Sequence, residues 1–134
     1  RVRGVGAASF VNSCVTNDLN RIGAGQAQYT LLCDHSTGGV IDDLIIYRIS
    51  DEELFLVPNA ANTSEVVARM KQKAPSGIDV INEYEKYAVF ALQGPKTFEL
   101  LKSIGLDVEL SYMAFAVATI AGVMPAMGSL PRKG

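Results

Sequence analysis

Two adjacent aspartates, Asp42 and Asp43, are the residues of this sequence best suited to chemistry. They stand inside an otherwise apolar run, VIDDLII, at residues 40–46. Successive residues of a β-strand face opposite sides of the sheet, so at least one carboxylate should point toward whatever covers that sheet. An ionised carboxylate there is costly unless it finds a hydrogen-bond donor or raises its pKa. The pattern alone does not choose between Asp42 and Asp43.

A purely structural interpretation of the same run is also open. In it the strand begins only at Leu44, and both aspartates are solvated residues of a hairpin turn that bond to glycine backbone amides. Tyr29 and Tyr47 carry a similar ambiguity, because tyrosines line flat aromatic ligands but are also common on half-buried strands. Asn59 follows a strand, where side-chain amides often do no more than satisfy backbone groups.

The composition excludes several classes of partner. A chain of 134 residues with 49% hydrophobic content can bury the core of one domain. The formal net charge of -2 provides no basic field for a nucleic-acid backbone. The longest apolar stretch, Met113 to Met127, is interrupted by Gly122 and Pro125 and is shorter than the roughly 20 residues of a membrane-spanning helix. We therefore expect neither a nucleic-acid partner nor a membrane span.

Cysteine and histidine usage argues against a metal centre. Cys14 and Cys33 lack the close spacing of a zinc site or a redox pair, and His35 is the only histidine. We expect buried free thiols and no metal. The segment from Arg1 to Phe10 is too weakly apolar for a secretory signal, so a cytoplasmic compartment is expected.

Hydrophobic periodicity predicts groups of strands with helices between them. The predicted strands are Gln26–Cys33, Val40–Ile49, Leu54–Val57, Ile78–Ile81, Lys86–Leu92 and Ala114–Ile120. The predicted helices cover Ala7–Val15, a segment after Asn62 that stops at Pro75, and a segment from Pro95 to Gly105. Asn62 and Glu65 are spaced as a capping pair at the start of the second helix. This order is typical of an α+β domain with a largely antiparallel sheet and helices packed on it.

Four short motifs resemble, in order and spacing, the amino-terminal half of glycine cleavage T-proteins. They are GQAQY at residues 25–29, GGVIDDLII at 38–46, FLVPNAAN at 55–62 and ALQGP at 91–95. The resemblance runs from about Phe10 to Val123, and its most specific part is GG, two hydrophobic residues and DDL. It implies that residues 1–134 are a single, incomplete folate-binding aminomethyltransferase domain.

The resemblance also implies an activity. T-proteins take the aminomethyl group from the lipoyl arm of the H-protein, transfer its one-carbon unit to tetrahydrofolate and release ammonia. The implied partners are lipoylated H-protein and tetrahydrofolate as co-substrate. The implied compartment is the cytoplasm, or the mitochondrial matrix in a eukaryote.

The family pattern assigns roles to individual residues. Its second aspartate, which lies beside the folate nitrogens, falls on Asp43 and makes that residue the candidate catalytic group. A carboxylate among apolar neighbours is suited to handling protons on a nitrogen nucleophile. Three of the implied residues, Asp43, Ile45 and Tyr47, share one side of a strand, as a pterin slot requires. The implied folate-binding residues are Tyr29, Ile45, Tyr47, Val57 and Asn59.

The chain departs from the T-protein pattern at both ends. It lacks an HxxxxFDxS-type segment, and after Gly122 an RTGYTGE stretch with two folate-binding side chains is replaced by VMPAMGSLPRKG. The resemblance therefore implies that this chain cannot complete the pocket and is inactive alone. Two alternatives are open. One is a non-catalytic folate-binding relative that aids iron-sulfur protein maturation, and the other is an inactive fragment whose unfinished sheet pairs with another copy.

Overall fold

A computed structural model describes residues 1–107, 110–120 and 123–129. The chain divides into two compact units, Arg1–Tyr84 and Glu85–Gly134, and the single domain expected from the sequence stays a prediction.

The first unit is built around a five-stranded sheet. Its strands are β1 (Val2–Arg3), β2 (Gln26–Cys33), β3 (Val40–Ser50), β4 (Glu53–Val57) and β5 (Asp79–Val80). They lie side by side in the order β2-β3-β4-β1-β5, and every pair is antiparallel. Two helices, α1 (Ala7–Cys14) and α2 (Thr63–Lys73), complete the unit. The predicted α+β class with an antiparallel sheet is confirmed.

The β2–β3 hairpin is closed by a turn centred on Asp34. Its Oδ1 accepts hydrogen bonds from the backbone N–H groups of Ser36 and Thr37, both at 3.0 Å. Gly38 has φ +72° and donates its N–H to the Asp34 carbonyl at 2.8 Å. A side chain that imitates a backbone turn, followed by a left-handed glycine, brings the two strands back together.

One face of the sheet forms the core with α1 and α2. Alternate residues of β3 supply Leu44 and Ile46 to this face, both almost fully buried. Helix α1 contributes Phe10 and Val11, which lie on one side of the helix because of its 3.6-residue period. The other buried members of this core are Val2, Ala7, Cys14, Leu19, Leu32, Leu54, Val66, Met70, Ile78 and Val80.

The second unit contains a short helix, α3 (Thr97–Ser103), and the antiparallel pair β6 (Phe115–Ile120) and β7 (Val123–Ser129). Gly105, with φ +85°, follows the end of α3 as predicted. The β7 segment had no clear sequence pattern. The sequence predicts a loop or tail over Ser129–Gly134; Ser129 instead ends β7, and residues 130–134 lie outside the described part of the chain.

Two elements of the fold differ from the sequence prediction. The sequence predicts a strand over Lys86–Leu92, but Lys86 ends a short 3-10 turn that begins at Tyr84, and residues 87–92 form no regular element. Val89 and Phe90 are 76% and 88% exposed. Within the described residues no neighbouring strand pairs with this segment and no layer buries it, so its β-propensity alone does not produce a strand. Strand β1 was not predicted, because two residues are too few to show a period; it is defined by its pairing with β4 and β5.

Within the described part of the chain, no helix is long and apolar enough to cross a membrane. The same residues contain no cluster of three or more His, Cys, Asp or Glu side chains that could share a metal ion.

Candidate functional site

The register of three neighbouring strands brings the predicted site residues together. Ile45 of β3 is paired with Tyr29 of β2 on one side and with Val57 of β4 on the other. Tyr47, two residues further along β3, is paired with Phe55, and their rings lie 6.4 Å apart. Because paired residues share a face, these side chains line the sheet face opposite the core.

The two aspartates are divided between the two faces of β3. Asp42 is paired with Leu32, belongs to the core face and is 2% exposed. Asp43, the next residue of the strand, lies on the opposite face and is exposed. Strand β3 begins at Val40, so both aspartates lie within it, and the interpretation of them as solvated turn residues is wrong.

Asp43 is held from two directions. The hydroxyl of Tyr29 donates to its Oδ2 at 2.8 Å, and the side-chain amide of Asn59 donates to its Oδ1 at 3.1 Å. Each carboxylate oxygen has two acceptor sites, so both oxygens retain the capacity to accept from a ligand. The bond to the carboxylate raises the pKa of Tyr29, because the phenol is favoured in its proton-donating form.

Asp42 is buried, and both of its carboxylate oxygens accept hydrogen bonds. Its Oδ2 accepts the backbone N–H of Asn59 at 3.0 Å. Its Oδ1 accepts the side-chain amides of Asn59 at 3.0 Å and of Asn62 at 2.7 Å. These bonds offset the cost of placing a carboxylate inside the core. The sequence pointed to a carboxylate of this kind, but the family pattern did not include Asp42 among the site residues.

Asn62 precedes α2, as predicted, but its side chain does not cap the helix. It makes no hydrogen bond to the first turn and donates to Asp42 instead. A buried carboxylate depends on a protein donor, whereas an exposed helix end can be satisfied by water. The predicted capping pair of Asn62 and Glu65 is therefore wrong.

The six predicted site residues thus occupy one region of the sheet. Tyr29, Asp43 and Asn59 are joined directly by hydrogen bonds. Ile45 and Val57 form the apolar row beside them, and Tyr47 lies two residues beyond Ile45 on β3. Chemically, the region offers a carboxylate acceptor at the edge of an apolar and aromatic surface. Such a surface can take a flat ring with N–H groups at its rim. The roles of these residues stay predictions.

This antiparallel fold and its site belong to a recognisable class of protein domain. Residues 1–128 match the family model described as GCVT N-terminal domain, and the chain belongs to this family. The resemblance seen in the four motifs is confirmed.

Curated relatives with the name aminomethyltransferase match most of the chain. The protein of Mycobacterium bovis is 57% identical over 122 residues, which are 91% of this chain and 33% of that protein. The protein of Mycobacterium avium is 58% identical over 115 residues, or 86% of this chain and 31% of that protein. The Parafrankia protein is 55% identical over 122 residues, with coverages of 91% and 33%. The chain spans about a third of the length of these relatives.

A solved structure has the same fold. The crystal structure of glycine cleavage system aminomethyltransferase T from Bartonella henselae matches with a TM-score of 0.70 and 28% sequence identity. The match covers 85% of this chain and 31% of that one.

Proposed function

We propose that this chain is the tetrahydrofolate-binding portion of an aminomethyltransferase of the glycine cleavage system. The observation that carries the proposal is the Asp43 carboxylate, held by Tyr29 and Asn59 at the edge of an apolar row. The names of the relatives and of the solved structure support the same activity. They favour it over a non-catalytic folate-binding relative.

The pterin of tetrahydrofolate would lie on the exposed sheet face. Ile45 and Val57 would contact the ring, and Tyr47 would border it. The face fits such a group because its apolar side chains are only half-buried and thus retain surface for a ligand. Tyr29, which is 52% exposed, has accessible ring surface beside the same row.

Asp43 would be the catalytic residue of this site. Tetrahydrofolate supplies a nitrogen nucleophile, and transfer of the one-carbon unit to it requires loss of a proton from that nitrogen. A carboxylate fixed by two donors, with acceptor sites still available, can hold and accept that proton. Tyr29 and Asn59 would keep the carboxylate in one orientation, which lowers the entropic cost of reaching the reactive geometry.

The proposed reaction also needs a donor of the one-carbon unit and releases a second product. The proposed donor is the aminomethyl group on the lipoyl arm of the H-protein, and the proposed product is ammonia. The proposed compartment is the cytoplasm, or the mitochondrial matrix in a eukaryote. Because the chain covers 33% of the Mycobacterium bovis protein, we propose that it binds folate weakly and is inactive by itself.

Calorimetry with tetrahydrofolate tests the proposal. The parent chain, an Asp43→Asn variant and an Asp79→Asn control would be titrated, because Asp79 is an exposed residue of β5 on another strand. Weak binding that is lost with Asp43→Asn and retained with Asp79→Asn supports the proposed function. Tight binding that Asp43→Asn leaves unchanged contradicts it.

Activity can be tested in a chimera of full length. The matching 122 residues of the Mycobacterium bovis relative would be replaced by those of this chain. Ammonia release from aminomethyl-lipoyl H-protein in the presence of tetrahydrofolate is expected, and Asp43→Asn should lower its rate by about a hundredfold or more. Full activity of the Asp43→Asn chimera would exclude a catalytic role for Asp43.

A further inference from the structure

The buried aspartate and the exposed aspartate are connected through a single side chain. The amide nitrogen of Asn59 lies 3.0 Å from Asp42 Oδ1 and 3.1 Å from Asp43 Oδ1. It also lies 3.1 Å from the backbone carbonyl oxygen of Asp43. One amide group therefore connects the core face of β3 with the exposed face.

Asp42 determines where that amide can lie. It accepts both the backbone N–H and the side-chain amide of Asn59, so the two bonds fix the residue at both its main chain and its side chain. Asn59 itself is exposed and follows β4 in an irregular segment, where few packing contacts would restrict its rotamer. Asp42 is 2% exposed within the sheet and provides a rigid anchor.

We propose that Asp42 is a positioning residue that acts through Asn59 on Asp43. The buried carboxylate holds the Asn59 amide, and that amide holds the Asp43 carboxylate in the orientation in which it meets its ligand. This inference rests on the proposed function, because the ligand it concerns is tetrahydrofolate. The two aspartates thus have different tasks, one as an internal anchor and one as the reacting group.

Asp42→Asn is the conservative change that disturbs this arrangement. Asparagine has nearly the same shape but only one acceptor oxygen, and its own NH₂ group is a donor. Three donor groups face the two oxygens of Asp42, so at least one of them would meet another donor after the substitution. In either orientation of the new amide, at least one of the two bonds to Asn59 is lost, so the variant should loosen Asn59 without leaving a cavity.

A double-mutant cycle in the full-length chimera separates positioning from a general effect on stability. The dissociation constant for tetrahydrofolate would be measured for the parent, Asp42→Asn, Asn59→Ala and the double variant, with Asp79→Asn as the unaffected control. We expect Asp42→Asn to raise the dissociation constant about tenfold, which corresponds to the loss of one hydrogen bond to a charged group. When Asn59 is already alanine, the same substitution should raise the dissociation constant less than about twofold. A general structural role would lower the Tm without this coupling.

A loss of affinity that is equally large in the Asn59→Ala background, or no loss in either background, would overturn the inference. A second measurement needs no ligand. In the parent, the NH₂ protons of the Asn59 side chain should exchange slowly with water, and in Asp42→Asn their exchange should accelerate at least about tenfold. Unchanged exchange would also overturn the inference. Failure of the parent chimera to bind tetrahydrofolate would instead contradict the proposed function, and the exchange rates would then decide the role of Asp42.

Discussion

The hydroxyl of Tyr29 donates a 2.8 Å hydrogen bond to Asp43 across the β2–β3 pair, although the two residues are not directly opposite each other. Tyr29 is paired with Ile45, and Asp43 with Leu31, so the bond runs diagonally across the ladder. Only a long side chain spans such a diagonal. The bond therefore depends on the register of the hairpin as well as on the identities of the two residues.

This bond predicts a tyrosine titration that responds to Asp43. The carboxylate raises the pKa of Tyr29, so Asp43→Asn should return that pKa toward its ordinary value. Because the folded-state pKa is the raised one, the stabilisation is present at neutral pH and is lost as the pH rises above about 10. Ultraviolet titration of the parent and of Asp43→Asn measures the shift. Tyr29→Phe should remove the shifted titration, and the control Tyr84→Phe should leave it unchanged. If Asp43→Asn did not change the titration, the hydrogen bond between Tyr29 and Asp43 would be contradicted.

Asn62 provides a test of whether it serves as a cap or as a donor to Asp42. Aspartate is as good an N-cap as asparagine, so Asn62→Asp would be harmless if the side chain capped α2. As the structure has it, the substitution places a second carboxylate against buried Asp42. We expect a loss of folding free energy on the order of 2–3 kcal/mol, larger than that of Asn62→Ala. Urea denaturation of both variants measures it, and an Asn62→Asp variant as stable as the parent would support the cap.

The ion pair between Arg69 and Asp34 predicts acid sensitivity at the hairpin turn. Arg69 of α2 contacts Asp34 at 2.8 Å, and hydrogen bonds from Ser36, Arg69 and the turn amides lower the pKa of Asp34. A lowered pKa stabilises the fold above the unfolded value of about 4, and this contribution is lost progressively as the pH falls below it.

Asp34→Asn should accordingly lower the Tm at pH 7, and the difference from the parent should narrow below about pH 4. Thermal melts across this range measure the effect. Asp79→Asn, in an exposed position of β5, serves as the control with little change in Tm. A Tm difference for Asp34→Asn that is the same at pH 3 and pH 7 would show that the charge of Asp34 is not responsible.

Gly4 and Gly77 form a matched pair for a prediction about packing. Both have positive φ, +130° and +88°, but of the two only Gly4 would bring an added Cβ into a clash, with the carbonyl oxygen of Gly77. Gly77→Ala should cost about 1 kcal/mol from backbone strain alone. Gly4→Ala adds a clash with backbone and should cost on the order of 3 kcal/mol or more. Chemical denaturation compares them, and equal losses would show that the close approach is absent in solution.

Much of this protein can be predicted from local patterns. Alternation in residues 26–33 and the apolar run at 40–46 predict β2 and β3, because side-chain alternation and β-propensity depend only on neighbours along the chain. The helical stripe of Val66 and Met70 predicts α2 for the same reason. The motifs also sufficed to recognise the family, and they mark the residues that the sheet brings together.

Other features could not be predicted, because they arise from contacts between distant segments. The pattern flagged Asp42 and Asp43 as a pair but did not decide which one faces the core. That choice follows from the pairing of β3 with β2 and from the layer that covers the sheet. Strand β1 exists only because of its partners in β4 and β5.

The sequence by itself determined the helices and, apart from β1, the strands of the sheet region, the family and the presence of a carboxylate pair in an apolar strand. Only the tertiary structure decided that Asn59 and Asn62, 17 and 20 residues from Asp42, would be its donors. A local pattern records what each residue prefers among its neighbours along the chain. The partner of a buried charge is determined by which segments the fold brings within hydrogen-bonding distance. Here the buried Asp42 accepts the side-chain amide of Asn62, which therefore does not cap the helix as expected.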